Sequence, residues 1–139
     1  MNDRIRAVAL GNDPADLLIK NGRVVDVLTG EIYEANVAIA DGVIAGVGDY
    51  CEGKRIVDAT GKYILPGFIN THCHVESSMA TPQNYCAEEL RWGVTTLITD
   101  PHEIANVAGA KGVKYMLEAT RNLPVNYYVQ VPSCVPATP

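Results

Sequence analysis

Two histidines stand two residues apart near the middle of the chain. His72 and His74 end the run PGFINTHCH, a short apolar segment that follows a Pro-Gly pair. Because alternate side chains of a strand lie on the same face, the two imidazoles are expected on one side, roughly 6 to 7 Å apart. Neutral imidazole is a common ligand of Zn, Fe, Mn and Ni, and a strand end holds it rigidly. The pair therefore predicts a site for a divalent transition metal ion.

The residues around the histidines favour this interpretation over a chance placement. The even positions from Phe68 to His74 include Asn70 and both histidines, whereas the odd positions from Ile69 to Val75 form a mostly apolar row. A strand of this kind is typically buried on one face and carries polar side chains on the other.

Two more polar clusters follow later strand-like segments. The first is Asp100-Pro101-His102-Glu103, and the second is Ser133-Cys134. The chain has 3 histidines, and all of them fall at predicted strand ends. In parallel α/β proteins the functional side chains collect at the carboxyl ends of the strands, so the clusters are expected to lie close together.

Residues 63 to 139 alternate between strand-like and helical patterns. Strands are predicted at 63–74, 94–99 and 125–131. The first helix is expected to begin after Thr81, with Pro82 in its first turn, and to end at Gly93. A second helix is indicated by Val113, Met116, Leu117 and Thr120, which fall at the spacing i, i+3, i+4 and i+7. The alternation predicts a parallel βαβαβ arrangement with right-handed crossovers.

The part of the chain before residue 63 has a different pattern. Residues 16 to 62 read as short antiparallel strands, with hairpin turns at Asn21-Gly22 and Asp41-Gly42 and a further strand at 55–58. They are expected to form a small open sheet or half-sandwich that is not stable alone. Residues 1 to 15 form a short leader to which the pattern assigns no role.

Composition narrows the class of protein. The chain has 139 residues, 47% of them hydrophobic and 19% charged, with a net charge of -5. These values are typical of a soluble globular protein and favour neither a nucleic-acid partner nor a membrane partner. With no signal peptide pattern, a cytoplasmic location is the default expectation. The 4 cysteines form no CxxC pair, so they are predicted to be reduced, mostly buried thiols.

Longer motifs carry a resemblance to a known family. The segments PGFINTHCHVESSM, GVTTLITDPHEIANV and PSCVPAT, together with DLLIKNGRVVDVLTGEIYEANVAIADGVIAGVG, resemble the N-terminal part of the adenine deaminases of the amidohydrolase superfamily. The resemblance covers residues 16 to 139. The PGFINTHCH element marks the superfamily in general, whereas HVESSM, DPHEIANV and PSCVPAT narrow the resemblance to adenine deaminases.

The resemblance implies an α/β fold, the start of a (β/α)8 TIM-type barrel preceded by part of a small β-sandwich domain. Residues 16–62 would be the first part of the sandwich, and residues 63–139 the first βαβαβ portion of the barrel. The family supplies its other metal ligands from later strands. Asn70 stands where the family usually has aspartate, so an orienting role is implied for it and an anionic one is not.

The resemblance also implies an activity. Adenine would be hydrolysed to hypoxanthine and ammonia at a divalent metal centre, expected to be binuclear with Mn or Fe, or alternatively Zn. His72 and His74 would bind the metal, and Glu76 and His102 would take catalytic roles. A homo-oligomer or the remainder of the enzyme chain is the expected partner, and the isolated 139 residues are expected to be inactive.

Alternatives remain open from the residues themselves. The protein could be another amidohydrolase that acts on a cyclic amide, or a non-catalytic fragment that binds metal or forms oligomers. Glu76 could be a solvated loop carboxylate, and Glu103 could simply favour a helix N-terminus. Ser133 and Cys134 could form an ordinary turn at a strand end. Trp92 is predicted to pack in the core.

Overall fold

The chain divides into two compact units, which meet in sequence at Pro66 and Gly67. The computed structural model describes residues 3–132 and 134–136. Each unit contains its own β-sheet, and the whole is a mixed α/β structure. Within the described ranges, no helix has the length and apolar character needed to span a membrane.

The first unit contains one short helix and five strands. They are α1 (Asp3–Ala9), β1 (Ala15–Val25), β2 (Ile32–Ala40), β3 (Val43–Gly48), β4 (Gly53–Asp58) and β5 (Tyr63–Ile64). The strand order is β3-β2-β1-β4, and β5 also pairs with β1. β2 is antiparallel to both β1 and β3, whereas β4 and β5 run parallel to β1.

The leader is part of the core of this unit. Val8 of α1 is 1% exposed and packs in one cluster with Leu18 and small residues of the sheet. The Arg4 guanidinium donates to both carboxylate oxygens of Asp16, at 2.9 and 2.7 Å, and to Asp41 at 3.0 Å. These hydrogen bonds hold the pKa of the Asp16 carboxyl well below its usual range. Apolar packing and charge pairing together fix α1 to the sheet.

The hairpin predicted at Asn21-Gly22 is wrong, because β1 runs through both residues. Asn21 has a positive φ of 63°, and the pairing of β1 with β2 shifts register between Ile19 and Gly22. Both features describe a β-bulge. A side chain at Gly22 would collide with Ile64, so the glycine permits close packing. Asn-Gly suits a bulge as well as a turn, because both need a residue with positive φ.

The hairpin predicted at Asp41-Gly42 is confirmed. The two residues have φ of 50° and 74° and join β2 to β3. The strand predicted at 55–58 is also present, but it is parallel to β1 and not antiparallel. β3 and β4 lie at opposite ends of the strand order. The chain therefore crosses the sheet between them, and β4 then runs parallel to β1.

The second unit has three strands that alternate with helices. They are β6 (Phe68–Cys73), a 3-10 turn (Glu76–Ser78), α2 (Pro82–Arg91), β7 (Val94–Thr99), α3 (His102–Ala108), α4 (Ala110–Ala119) and β8 (Asn126–Val129). The order is β6-β7-β8, and both pairings are parallel. The parallel βαβαβ prediction is therefore confirmed.

Local signals placed α2 correctly. Thr81 Oγ1 accepts a hydrogen bond from the Asn84 amide at 3.4 Å, and Pro82 is the first helical residue. The chain leaves the helix at Gly93, whose φ of 84° suits glycine. Leu97 of β7 and Met116 of α4 are 0% and 1% exposed, and both belong to the hydrophobic core of the second unit.

Other local predictions in this unit need correction. The single helix predicted after residue 103 is two helices, because Gly109 breaks it with a φ of 59°. The strand predicted at 63–74 is also two strands, interrupted at Pro66-Gly67, and the first of them, β5, pairs with β1. Trp92 is not in the core: it is 74% exposed, and its indole N–H donates to Glu88 at 3.1 Å.

A bulge in β6 changes which side chains share a face. Asn70 pairs with Leu97, and Cys73 pairs with Thr99, so three residues of β6 are matched by two of β7. The extra residue interrupts the alternation and puts Asn70 and Cys73 on the same side of the sheet. Asn70 donates to Glu89 of α2 at 3.5 Å. The prediction that Asn70 shares a face with the histidines is therefore wrong.

Gly112 allows α4 to lie close to α3. A Cβ at this position would be 2.7 Å from the carbonyl oxygen of Ile104 and 2.8 Å from its Cγ1. Glycine to alanine in a helix usually gains roughly 1 kcal/mol. Here the clash with backbone should reverse the sign, and Gly112→Ala should lower the free energy of unfolding by about 1 to 3 kcal/mol.

Thermal unfolding of the native polypeptide that carries this sequence would test this expectation. Lys111→Ala, at the exposed preceding position of α4, is the matched control and should change stability by less than about 0.5 kcal/mol. A higher melting temperature for Gly112→Ala would show that the two helices can separate without cost.

Candidate metal centre

The carboxyl end of β6 brings His72 and His74 together. Their Nε2 atoms are 3.0 Å apart, and the rings meet edge to face with centroids 4.7 Å apart. The rings are closer than regular strand geometry predicts, because a bulge precedes them and His74 lies beyond the strand end. Two nitrogens that bind one ion at about 2.0 to 2.1 Å are separated by about 2.9 to 3.4 Å. The observed separation suits a shared metal ion.

The tautomer of His74 is set by Asp100, the residue that directly follows β7. His74 Nδ1 lies 3.0 Å from the backbone carbonyl oxygen of Asp100. A carbonyl oxygen only accepts hydrogen bonds, so Nδ1 must carry the proton and donate. In the neutral ring this leaves a lone pair on Nε2, directed toward His72. Metal-binding histidines are commonly oriented by such a hydrogen bond from the other ring nitrogen.

Asp100 also belongs to the site, although the sequence pattern alone assigned no metal-binding role to its side chain. It is 9% exposed, and its Oδ2 lies 3.3 Å from Nδ1 of His102. Its Oδ1 is buried and has no hydrogen-bond partner among the described residues. Leaving a buried polar atom unpaired costs about 1 to 3 kcal/mol, and more for a charged group. A cation beside the carboxylate would remove that cost.

The donors fit a transition metal ion. Ligand atoms of His72, His74 and Asp100 all lie within 4.8 Å of one another. Two imidazole nitrogens and one carboxylate oxygen make a donor set that suits Zn, Fe and Mn.

His102 joins the same cluster from the first turn of α3. Its ring stands edge to face with that of His74, with centroids 4.6 Å apart. Ligand atoms of His74, His102 and Glu103 form a second group within 4.8 Å of one another. All three histidines of the chain are thus brought together at the ends of β6 and β7, although they come from segments about thirty residues apart.

Glu76 lies in the 3-10 turn that follows His74. Its Oε1 accepts a hydrogen bond from the Ile104 amide at 3.2 Å. Its Oε2 is buried and, within the described residues, has no hydrogen-bond partner. Glu76 belongs to neither group of potential metal donors found among those residues.

The cysteines and the third polar cluster are less informative. Cys73 and Cys86 are buried as predicted, whereas Cys51 and Cys134 are exposed. Burial raises the pKa of the Cys73 thiol and so disfavours the thiolate that a metal would need. The backbone oxygen of Cys134 accepts a hydrogen bond from Asn106 at 3.0 Å. Ser133 lies outside the described residues.

The second unit is an α/β structure of parallel strands joined by helices. Histidines and a buried carboxylate gathered at its strand ends form a candidate metal site. Residues 63–139 match the family described as the amidohydrolase family. The match covers more than half of the chain, which therefore belongs to the amidohydrolase family.

Individual relatives are more specific. The chain is 58% identical over 132 residues to the adenine deaminase of Oceanobacillus iheyensis, covering 95% of this chain and 22% of that protein. It is 54% identical over 132 residues to the adenine deaminase of Listeria welshimeri, covering 95% and 23%. The chain thus spans less than a quarter of the length of these curated relatives.

Solved structures agree on the fold. A crystal structure of D-aminoacylase superimposes with a TM-score of 0.68 at 25% identity, over 86% of this chain and 30% of that one. A second D-aminoacylase structure, described for its binuclear metal centre, has a TM-score of 0.67 at 24% identity over the same shares of the two chains.

Proposed function

We propose that this chain is part of an adenine deaminase, which hydrolyses adenine to hypoxanthine and ammonia. The observation that carries the proposal is the convergence of the His72 and His74 Nε2 atoms, 3.0 Å apart, at a strand end. The identity of 58% and 54% to two adenine deaminases supports the choice of substrate. No feature of the site favours a cyclic amide over adenine.

The proposal includes the architecture of the whole enzyme. The second unit would supply the first three strands of a (β/α)8 barrel, and the first unit would be the beginning of a small β-sandwich. Three parallel strands with helical connections support the barrel. We place the junction at Pro66-Gly67 and not after residue 62, because β5 pairs with β1 of the first unit.

We further propose that His72 and His74 hold a divalent metal ion in a centre that becomes binuclear in the complete enzyme, with Mn or Fe favoured over Zn. The binuclear centre described for D-aminoacylase supports two ions. When bound, such an ion supplies Lewis acidity that lowers the pKa of water toward neutrality. The remaining donors would come from the rest of the enzyme chain, or from a second chain in a homo-oligomer.

The residues of the chain would prepare the site in distinct ways. The Asp100 carbonyl accepts a hydrogen bond from His74 Nδ1, which leaves the His74 Nε2 lone pair directed toward His72. With Nδ1 directed at Asp100, a neutral His102 keeps Nε2 as a proton acceptor, as an acid-base group requires. Glu76 lies two residues after His74, and its Oε2 has no hydrogen-bond partner among the described residues, so we propose that this carboxylate accepts a hydrogen bond during catalysis. Glu76 and His102 are therefore our candidates for catalytic residues.

The test compares the native polypeptide that carries this sequence with residues 1–139 expressed alone. Both are loaded with Mn or Fe, and hypoxanthine formation is followed by absorbance. The native polypeptide should release hypoxanthine and ammonia, and the isolated 139 residues should show no measurable turnover. Intact mass gives the length of the native polypeptide.

Two outcomes would contradict this proposal. A native polypeptide that ignores adenine but opens hydantoins or dihydropyrimidines would be another type of amidohydrolase. Sustained turnover by the isolated 139 residues would show that His72, His74 and Asp100 need no further donors.

A further inference from the structure

The turn after His74 is joined to the start of α3 by two adjacent hydrogen bonds. Glu76 Oε1 accepts from the Ile104 amide at 3.2 Å. The Ser77 hydroxyl donates to Glu103 Oε1 through a short contact. Two consecutive residues of one segment thus pair with two consecutive residues of another, 26 to 28 positions later in the sequence. We call these four residues the clasp.

The helix that takes part in these hydrogen bonds, α3, has no side-chain cap from its own N-cap residue. α3 has 7 residues, and Pro101 at its N-cap makes no side-chain hydrogen bond to it. The amide of the third helical residue normally bonds to the N-cap side chain. Glu76 provides that acceptor from a distant segment, and its negative charge suits a helix N-terminus.

α3 buries few of its side chains. Ala105 is its one fully buried residue among those described, and Val107 is 89% exposed. A helix this short is not stable without tertiary contacts. Hydrogen bonds at its two sides therefore add to its packing against α4 in fixing its position. On the other side Asn106 donates to the backbone oxygen of Cys134 at 3.0 Å.

His102 is the first residue of α3, so the contacts of the helix also position its ring. The ring lies with its centroid 4.6 Å from that of His74 and its Nδ1 3.3 Å from Asp100. We propose that Ser77 and Glu103 are positioning residues, and that the clasp holds His102 against His74 and Asp100. The catalytic consequence rests on the proposed function, whereas the structural consequence does not.

Kinetics of the native polypeptide test the catalytic consequence. Ser77→Ala removes the hydroxyl donor and should lower kcat/KM for adenine about tenfold, because small displacements of a catalytic group are costly. Ser77→Thr retains the donor and should recover most of the rate. In a His102→Ala background, Ser77→Ala should cause no further loss, since the clasp acts through His102. An equal tenfold loss in that background would overturn the proposal.

Hydrogen exchange tests the structural consequence independently of activity. In Ser77→Ala and Glu103→Ala, the amides of residues 102–108 should exchange faster than in the unmodified protein. Ser78→Ala is the matched control, because the Ser78 hydroxyl donates at 2.6 Å to Val75 and not to α3. Unchanged exchange in the clasp variants would overturn the proposal. If the unmodified protein had no activity on adenine, the proposed function would be refuted. Hydrogen exchange alone would then decide whether the clasp positions α3.

Discussion

Replacing His72 by alanine should remove at least one metal ion per chain and lower kcat/KM for adenine by more than about a hundredfold. Loss of a residue that merely orients a ligand typically costs 10- to 100-fold in metal affinity or activity. The Nε2 of His72, 3.0 Å from that of His74, would be a ligand itself, so its loss should cost more. Metal content by elemental analysis and initial rates on the native polypeptide would check both effects.

A control separates metal loss from damage to the fold. Lys111→Ala changes an exposed residue of α4 and should retain full metal content and rate. The melting temperature of apo His72→Ala should match that of the apo unmodified protein, because His72 is exposed and makes few contacts that could be lost. A His72→Ala protein with its full metal content and rate would refute the assignment of His72.

Asp100→Asn should weaken metal binding by about 10- to 100-fold. The substitution preserves the size of the side chain and the backbone carbonyl that receives the His74 proton at 3.0 Å. It removes the negative charge of the carboxylate. One oxygen of that carboxylate, Oδ1, is buried and has no hydrogen-bond partner among the described residues. The expected loss follows because a carboxylate near two imidazoles attracts a divalent cation and an amide does not.

Competition with a chelator, followed by metal content, would measure this loss in affinity. Asp49→Asn is the matched control, because Asp49 is an exposed carboxylate in the first unit. If Asp100→Asn and Asp49→Asn bound metal equally well, Asp100 would act through its backbone carbonyl alone. Its side chain would then serve only to orient His102.

Much of the second unit could be predicted from local signals. Threonine and proline favour the start of a helix, and glycine favours its end, because of their conformational preferences. These residues predicted the position of α2 correctly. The β-branched run from Val94 to Thr99 is a strand over the predicted residues. Because polar residues collect at the ends of parallel strands, the sequence predicts that His74 and His102 lie close together.

What could not be predicted depends on pairing between distant segments. Asn21-Gly22 has the composition of a turn, and only the pairing of β1 with β2 shows that it is a bulge. The bulge in β6 likewise appears only in its register with β7. The same register places the Asp100 carbonyl beside His74, which no local pattern could indicate.

The helix at the start of the chain has a practical consequence for protein production. Val8 packs in the core of the first unit, and Arg4 pairs with Asp16 of β1 and with Asp41 in the turn between β2 and β3. Shortened versions that omit the first dozen residues would uncover apolar surface and leave acidic groups facing each other. Expression trials should therefore keep this segment intact and attach affinity tags through a flexible spacer.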